Sequence, residues 1–395
     1  MSTSKTNLAS QYSLLIFELM RKLLSILALA LFAACAEKPN SEEVIVVEEP
    51  KNILENLSYS IDTVLVDTGN EILDFSFGYS TSTSPEGRYF YFLNNLKIQK
   101  IDLDQLNLIS FFSLEKDGPN SPGHIFGFYA LSDGSFFFPT LHRPSIITDQ
   151  GLKIKSWNLD KEELAEGFPI EPFSMGNRVI LDPKRHNLYS LPMNIETRDY
   201  YFAVIDSLEN RKKMVALTEF KRANKYLIRS DAEQKGEFLH LQQVNELVLI
   251  SCTVGNGTYI YVPGLDSLFY REFLHEIVPL EKTGEVKNKV GGRAEFEEEL
   301  KKLNHQINYQ TFLWDEKSQR YFRYASRAIR FDEDGWAKEF EIFLMAYSKD
   351  LELIGETRLE GLSKIPFGLF FKDGKLWSYV NVEDELGFAV FTFDF

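Results

Sequence analysis

The chain has 395 residues, 14% of them aromatic and 26% charged, with a formal net charge of −15 and only two cysteines. So acidic a protein is excluded from having nucleic acid or an anionic bilayer surface as its main partner, since both reward positive charge. Two cysteines, one of them assigned below to acylation, also exclude a disulfide framework, and a core of this size needs none.

In chain order, residues 1–19 fit no targeting pattern, because Glu18 interrupts the apolar stretch 14–17. Met20 is the better initiation site, which makes 1–19 a start-site misassignment. From Met20, Arg21 and Lys22 precede the apolar run 23–32, and Ala33-Ala34 precede Cys35. A basic opening, a short apolar core and small residues before a cleavage point make a secretory signal, too short to span a bilayer. The cysteine after Ala33-Ala34 resembles a bacterial lipobox, so residues 20–34 read as a lipoprotein signal peptide and Cys35 as the lipidation site, although Phe32 stands where Leu is commoner. A plain secretory signal is the alternative. Residues 35–56 are charged and poor in aromatics, with Pro39 and Pro50. Such a segment cannot bury a core and reads as an acylated tether.

Residues 57–395 read as one all-β domain. The 33 phenylalanines and 18 tyrosines are concentrated in short alternating runs, the pattern of half-buried strands. Four strands and two tight turns recur as a unit. The first has Leu73, Phe75, Phe77 and Tyr79, a turn at Pro85-Glu86-Gly87, strands 89–93 and 96–101, a turn at Asp104-Gln105, and strand 108–114. Later copies place turns at Asp133-Gly134 and Asp149-Gln150-Gly151, Asp182-Pro183-Lys184 and Asp206-Ser207, Asn245-Glu246 and Gly264-Leu265-Asp266, then Asp315-Glu316-Lys317 and Lys349-Asp350. The sixth copy, with Asp373-Gly374, supplies only the strands 366–371, 376–382 and 388–395. Its missing strand is 57–66, where Tyr59, Ile61, Thr63 and Leu65 alternate with polar residues. The expected fold is a single β-propeller of six four-stranded blades, closed by pairing the two chain ends. Seven blades or an open sandwich are the alternatives. One helical insertion is expected at 293–306, where Phe296, Leu300 and Leu303 share a face and Glu297/Lys301 and Glu298/Lys302 pair on the other.

No catalytic signature stands out. There is no G-x-S-x-G elbow and no phosphate-binding loop, and His275-Glu276 fails as a zinc motif because Pro279 stands where the second His belongs. The six histidines have no ligand spacing, so no metal and no cofactor is expected. Asp332-Glu333-Asp334-Gly335 reads as a turn, since a calcium loop would place Arg330 at its first ligand position. Cys252, in the apolar run 247–253, reads as a buried hydrophobe.

Loops joining blades, and those joining second to third strands, share the channel-mouth face in a propeller. They carry the candidate ligand-binding residues His124, His142, Arg143, Arg198 and Arg327, which would offer donors and positive charge to an anionic or carbonyl-rich ligand. Arg327 and Tyr324 are expected just beyond the strand 320–324, Trp336 near them, and Lys221, Arg222 and Lys225 in the next long connection. The loop Gly118-Pro119-Asn120-Ser121-Pro122-Gly123-His124 is either part of this site or a rigid connector.

The lipobox-like Phe32-Ala33-Ala34-Cys35, the linker Leu114-Glu115-Lys116-Asp117-Gly118-Pro119-Asn120 and the pair Phe312-Leu313-Trp314-Asp315 and Arg320-Tyr321-Phe322-Arg323-Tyr324 resemble a Bacteroidota lipoprotein family, the domain of unknown function 4221. The chain is also similar to six-bladed lipoproteins with a Gly/Pro-rich first linker. The resemblance implies a propeller-like fold and carries over no catalytic residue. Together these readings give an outer-membrane lipoprotein, facing the periplasm or the surface. It is held to the lipid bilayer by acylated Cys35 and serves as a non-enzymatic binding or scaffold module for an envelope protein or a small anionic ligand. The alternative is a hydrolase or lyase acting on a glycan or lipid at the channel mouth.

Overall fold

The computed structural model describes residues 52–71, 73, 80–140, 143–159, 173–174, 178–206, 211–383 and 385–394. Within them lie six four-stranded antiparallel sheets and two short two-stranded ones. Blade 1 comprises Ser80–Thr83, Tyr89–Asn94, Lys97–Asp102 and Asn107–Ser113. Blade 2 comprises Tyr129–Ala130, Phe136–Phe138, Ser145–Ile147 and Lys153–Ser156, and blade 3 Val179–Leu181, Asn187–Ser190, Tyr201–Asp206 and Arg211–Ala216. Blade 4 comprises Leu239–Val244, Leu247–Cys252, Thr258–Val262 and Ser267–Arg271. Blade 5 comprises Asn308–Asp315, Arg320–Phe331, Ala337–Tyr347 and Leu353–Arg358. Blade 6 takes Phe367–Lys372, Lys375–Val382 and Glu385–Asp394 from the C-terminus and Ser58–Leu65 from the other end of the chain.

That last pairing runs antiparallel from Ser58 opposite Asp394 to Leu65 opposite Gly387. It is the closure expected from the alternation at 57–66. The alternation marks pairing more than burial, however: Ile61 and Leu65 remain nearly half exposed on this outermost strand, while Tyr59 packs on Phe391 and Phe393. The first strand of blade 1 is Ser80–Thr83; of the expected run Leu73, Phe75, Phe77 and Tyr79, only Leu73 is among the described residues. The signal at 20–34, Cys35 and most of the tether also lie outside them.

Two-residue periodicity builds the ring. In blade 2, Phe136 and Phe138 turn toward Tyr91 and Ile98 of blade 1, while Phe137 between them packs with Val179 and Leu188 of blade 3. Tyr321 faces Leu249 of blade 4 and its neighbour Phe322 faces Phe371 of blade 6. Tyr189 and Phe202 of blade 3 meet Tyr261 of blade 4 at ring distances of 5.7 and 5.0 Å. The circle closes where Phe388 of blade 6 meets Phe90 of blade 1 edge-on at 5.2 Å. Each blade thus buries both of its faces against neighbours, the solution a twisted antiparallel sheet needs when no helices cover it.

The turns explain the Asp-rich punctuation of the sequence. Asp102 Oδ1 accepts the N–H groups of Asp104 and Gln105, and Asp315 accepts those of Lys317 and Ser318. The Asp332 segment is such a turn: Gly335 sits at φ +85 and Asp332 Oδ1 accepts the Trp336 N–H. Because inner strands in a ring run in the same sense, second-to-third-strand loops and blade-to-blade connections open on one face. We refer to it as the loop face.

Candidate functional site

The loop face carries the longest non-strand insertions. Between blades 3 and 4 lie a 3-10 helix, Thr218–Tyr226, and a hairpin of Ile228–Arg229 with Gln234–Lys235. Between blades 4 and 5 lies a long connection ending in helix α1, Arg293–Asn304. Phe296 and Leu303 of α1 are buried with Ile228 and Val290, which confirms the apolar face at Phe296, Leu300 and Leu303; Leu300 is only partly buried.

The two connections are stitched into one canopy. Arg229 donates its N–H to Asn288 O at 3.0 Å, and Val290 returns a bond to Arg229 O at 2.9 Å. Asn288 Nδ2 donates to Leu227 O and Lys225 O, and Tyr226 Oη donates to Lys282 O. Arg222 bridges Glu272 and Glu281 at 2.9 and 2.7 Å.

Buried polar groups pin this canopy to blades 4 and 5. Asn256 in the second-to-third loop of blade 4 takes Leu280 O and Phe273 O. Lys282 forms a buried pair with Glu237 at 3.0 Å; burial lowers its pKa and the Glu237 carboxylate opposes that. Glu356, on the outermost strand of blade 5, accepts four donors from the canopy: His275 Nδ1 at 2.9 Å and the N–H groups of Glu276, Ile277 and Val278. Burial alone would raise the Glu356 pKa, but the His275 bond and those N–H groups outweigh it and hold it below the ordinary value. On the side of Glu356 away from its carboxylate, Asn52 bonds both its backbone N–H and C=O.

Arg323, on the second strand of blade 5, is fully buried. Its Nε donates to Gln310 O at 2.7 Å and its Nη1 to Asn256 O at 2.7 Å, while the guanidinium lies over the Tyr309 and Phe312 rings at 4.7 and 4.8 Å. Gln310 sits where the first strand of blade 5 slips register, so its carbonyl needs a donor from outside the ladder. Arg323 supplies it and ties the bulge to the blade 4 loop. Nearby, burial and the charges of Arg323 and Arg178 push His240 down to about 4, and burial pushes Cys252 up to about 12.

The expected ligand residues are scattered. His124 is exposed and stacks edge-on against Phe126 at 4.5 Å. Its loop is tied to itself and to blade 2: Glu115 accepts from Asn120, Ser121 Oγ donates to Lys116 O, and Asn120 Oδ1 accepts from Lys153. His142 lies outside the described residues. Arg143 is exposed in the second-to-third loop of blade 2. Arg327 does not lie beyond its strand, which runs on to Phe331, as the register opposite Phe340 and Glu341 of the next strand requires. It pairs with Glu341 at 2.5 Å, and Arg358 shares that carboxylate at 2.8 Å. Trp336 is 68% exposed at the adjoining turn. Lys221 pairs with Asp199. Among the described residues, no contact joins any two of His124, Arg143, Arg198 and Arg327.

Two clefts are described. One, of about 450 Å³, is lined by His305, Arg327, Ala328, Ile329, Glu341 and Arg358. The other, of about 420 Å³, lies in the seam of the canopy between Asn224, Leu227, Arg229, Ser230, Asp231, Asn288, Lys289 and Val290. Arg198 adjoins the second: its C=O accepts from Asn224 Nδ2, and its pKa is lowered by burial and by the charge of Arg229. No group of three His, Cys, Asp or Glu side chains able to hold a metal occurs among the described residues, and no described helix is long and apolar enough to cross a membrane.

The profile of a family described as a domain of unknown function, DUF4221, matches residues 52–358. The crystal structure of a DUF4221 member from Bacteroides vulgatus ATCC 8482 is 15% identical and superposes with a TM-score of 0.64, covering 88% of this chain and 99% of that one. A crystal structure from Bacteroides fragilis NCTC 9343 is 11% identical with a TM-score of 0.50, covering 88% of this chain and 98% of that one. At these identities the likeness speaks for the ring architecture alone. No curated protein matches the chain.

Proposed function

The chain belongs to the DUF4221 family, and from that membership we propose that it is an envelope-anchored lipoprotein whose propeller is a non-enzymatic binding module. The observation that carries the binding reading is the canopy. Two long connections from different blades are fused into one surface on the loop face, with a cleft of about 420 Å³ at their seam. Both insertions are rooted in the ring: Phe220, Tyr226, Phe296 and Leu303 pack into the core between blades 3 and 4, and Phe273 and Val278 into the core between blades 4 and 5. Rigid scaffolds with elaborated loops are where recognition residues concentrate, and clefts between about 300 and 1,000 Å³ suit small molecules.

The anchoring half of the proposal rests on Ala33-Ala34-Cys35 after a short apolar run and on the charged tether that follows. Ala36, not Asp, follows the cysteine, which favours the outer membrane. Cells fed an alkyne analogue of palmitate should label the protein and retain it in the membrane fraction. The Cys35→Ala variant should lose both label and retention. Label that survives in Cys35→Ala would overturn the anchor.

A further inference from the structure

The two clefts are of similar size and differ in one respect. In the first, Arg327 and Arg358 share Glu341. In the second, Arg229 and Lys289 line the wall, Arg198 stands behind Asn224, and none of the three cations is within ion-pair distance of a carboxylate among the described residues. Asp231 lines the same cleft but bonds none of them, leaving a local excess of positive charge on a chain of net charge −15. Several other cations on this face are paired: Arg222 with Glu272 and Glu281, Lys221 with Asp199, Lys287 with Glu295.

The main chain at all three positions is fixed. Arg198 sits at φ +60, its N–H bonded to Asn194 O. Residues 229 and 289 form a parallel bridge across the canopy seam. Arg198 and Arg229 repel each other enough to lower the Arg198 pKa, with burial the larger cause. Arg229 and Lys289 are exposed at the cleft, where a guanidinium and an ammonium group can bind an oxyanion through charge-assisted hydrogen bonds. Leu227 and Val290 give the same cleft an apolar floor. Its volume exceeds what a bare inorganic ion fills.

The geometry points to the seam cleft as the binding site for a phosphorylated or carboxylated small molecule of about sugar size, its oxyanion held by Arg229 and Lys289, with the Arg198 charge adjoining, and its uncharged body against Leu227 and Val290. This inference deepens the binding-module reading and rests on it.

The test uses the exported chain from Cys35 onward, purified without acylation, and two probes, inorganic pyrophosphate and citrate, titrated calorimetrically at low salt. At least one should bind, the preferred probe separating phosphoryl from carboxylate ligands. Affinity should fall about tenfold or more in Arg229→Gln and in Lys289→Gln, about the loss expected for one charge-assisted contact. It should also fall with added salt. Lys317→Gln, at the first-to-second turn of blade 5 on the opposite face, should bind as the unaltered protein does. Matching thermal melts show that the variants fold. Absence of binding by both probes, or equal affinity in the Arg229 and Lys289 variants, overturns the inference. Palmitate labelling at Cys35 is independent of the cleft, so loss of the anchor and loss of the anion site are read separately.

Discussion

Arg323→Ala is expected to destabilise the domain by about 3–5 kcal/mol, through the buried hydrogen bonds it removes and the cavity it opens. The guanidinium satisfies the carbonyls of Gln310 and Asn256 and fills the space between the Tyr309 and Phe312 rings. Its loss leaves a cavity and the Gln310 carbonyl without its side-chain donor, worth about 1–3 kcal/mol, while Asn256 O keeps only the Thr258 hydroxyl at 3.2 Å. Arg323→Met restores volume without donors, so it should recover the cavity part of the loss and no more. Arg323→Lys keeps the charge but not the fork, and should also fall short of the native side chain. Urea unfolding midpoints measure all three. A loss below about 1 kcal/mol in the alanine variant would mean that the bulge and the blade 4 loop find other donors, and that Arg323 is not the tie between them.

Glu356→Ala should cost about as much, about 3–5 kcal/mol, because it strands His275 and three backbone N–H groups at once. This effect depends on pH, and the sign follows from the lowered pKa. The folded value lies below the ordinary 4.5, so the carboxylate's contribution is fully present above that value and is lost as pH falls through the folded one. The stability difference between the native protein and Glu356→Gln should therefore be constant near neutrality and shrink in acid. A difference that holds steady or grows on acidification would contradict the assignment. Arg323 stays protonated throughout, so the penalty of Arg323→Met should show no such trend.

Much of the ring was legible because it is written in two-residue periods and Asp-containing turns. Residues such as Phe136, Phe137 and Phe138 announce a strand buried on both faces, and the short C-terminal unit pointed to Tyr59, Ile61, Thr63 and Leu65 as its missing strand. The pins of the canopy were not legible. Their partners lie far apart in sequence: Glu356 with His275, Glu237 with Lys282, Arg323 with Asn256. One trace was present, since Arg323 is in phase with the core residues Tyr321 and Ala325, and an arginine there must be satisfied from outside its own strand. Of the five expected ligand residues, Arg198 adjoins the cleft with unpaired cations. Arg229 and Lys289, which complete it, lie in connections where charge carries no periodic signal.

The grouping of these loops on one face follows from the ring being closed by Ser58–Leu65 against Glu385–Asp394. Native-state hydrogen exchange on that strand tests this most directly. If the chain ends close the ring, the Ser58–Leu65 amides that bond Glu385–Asp394 exchange only through global unfolding, with the same free energy and denaturant dependence as those of blades 1 and 5. Exchange of Ser58–Leu65 by a local opening, well below the global free energy and indifferent to denaturant, would contradict the closure.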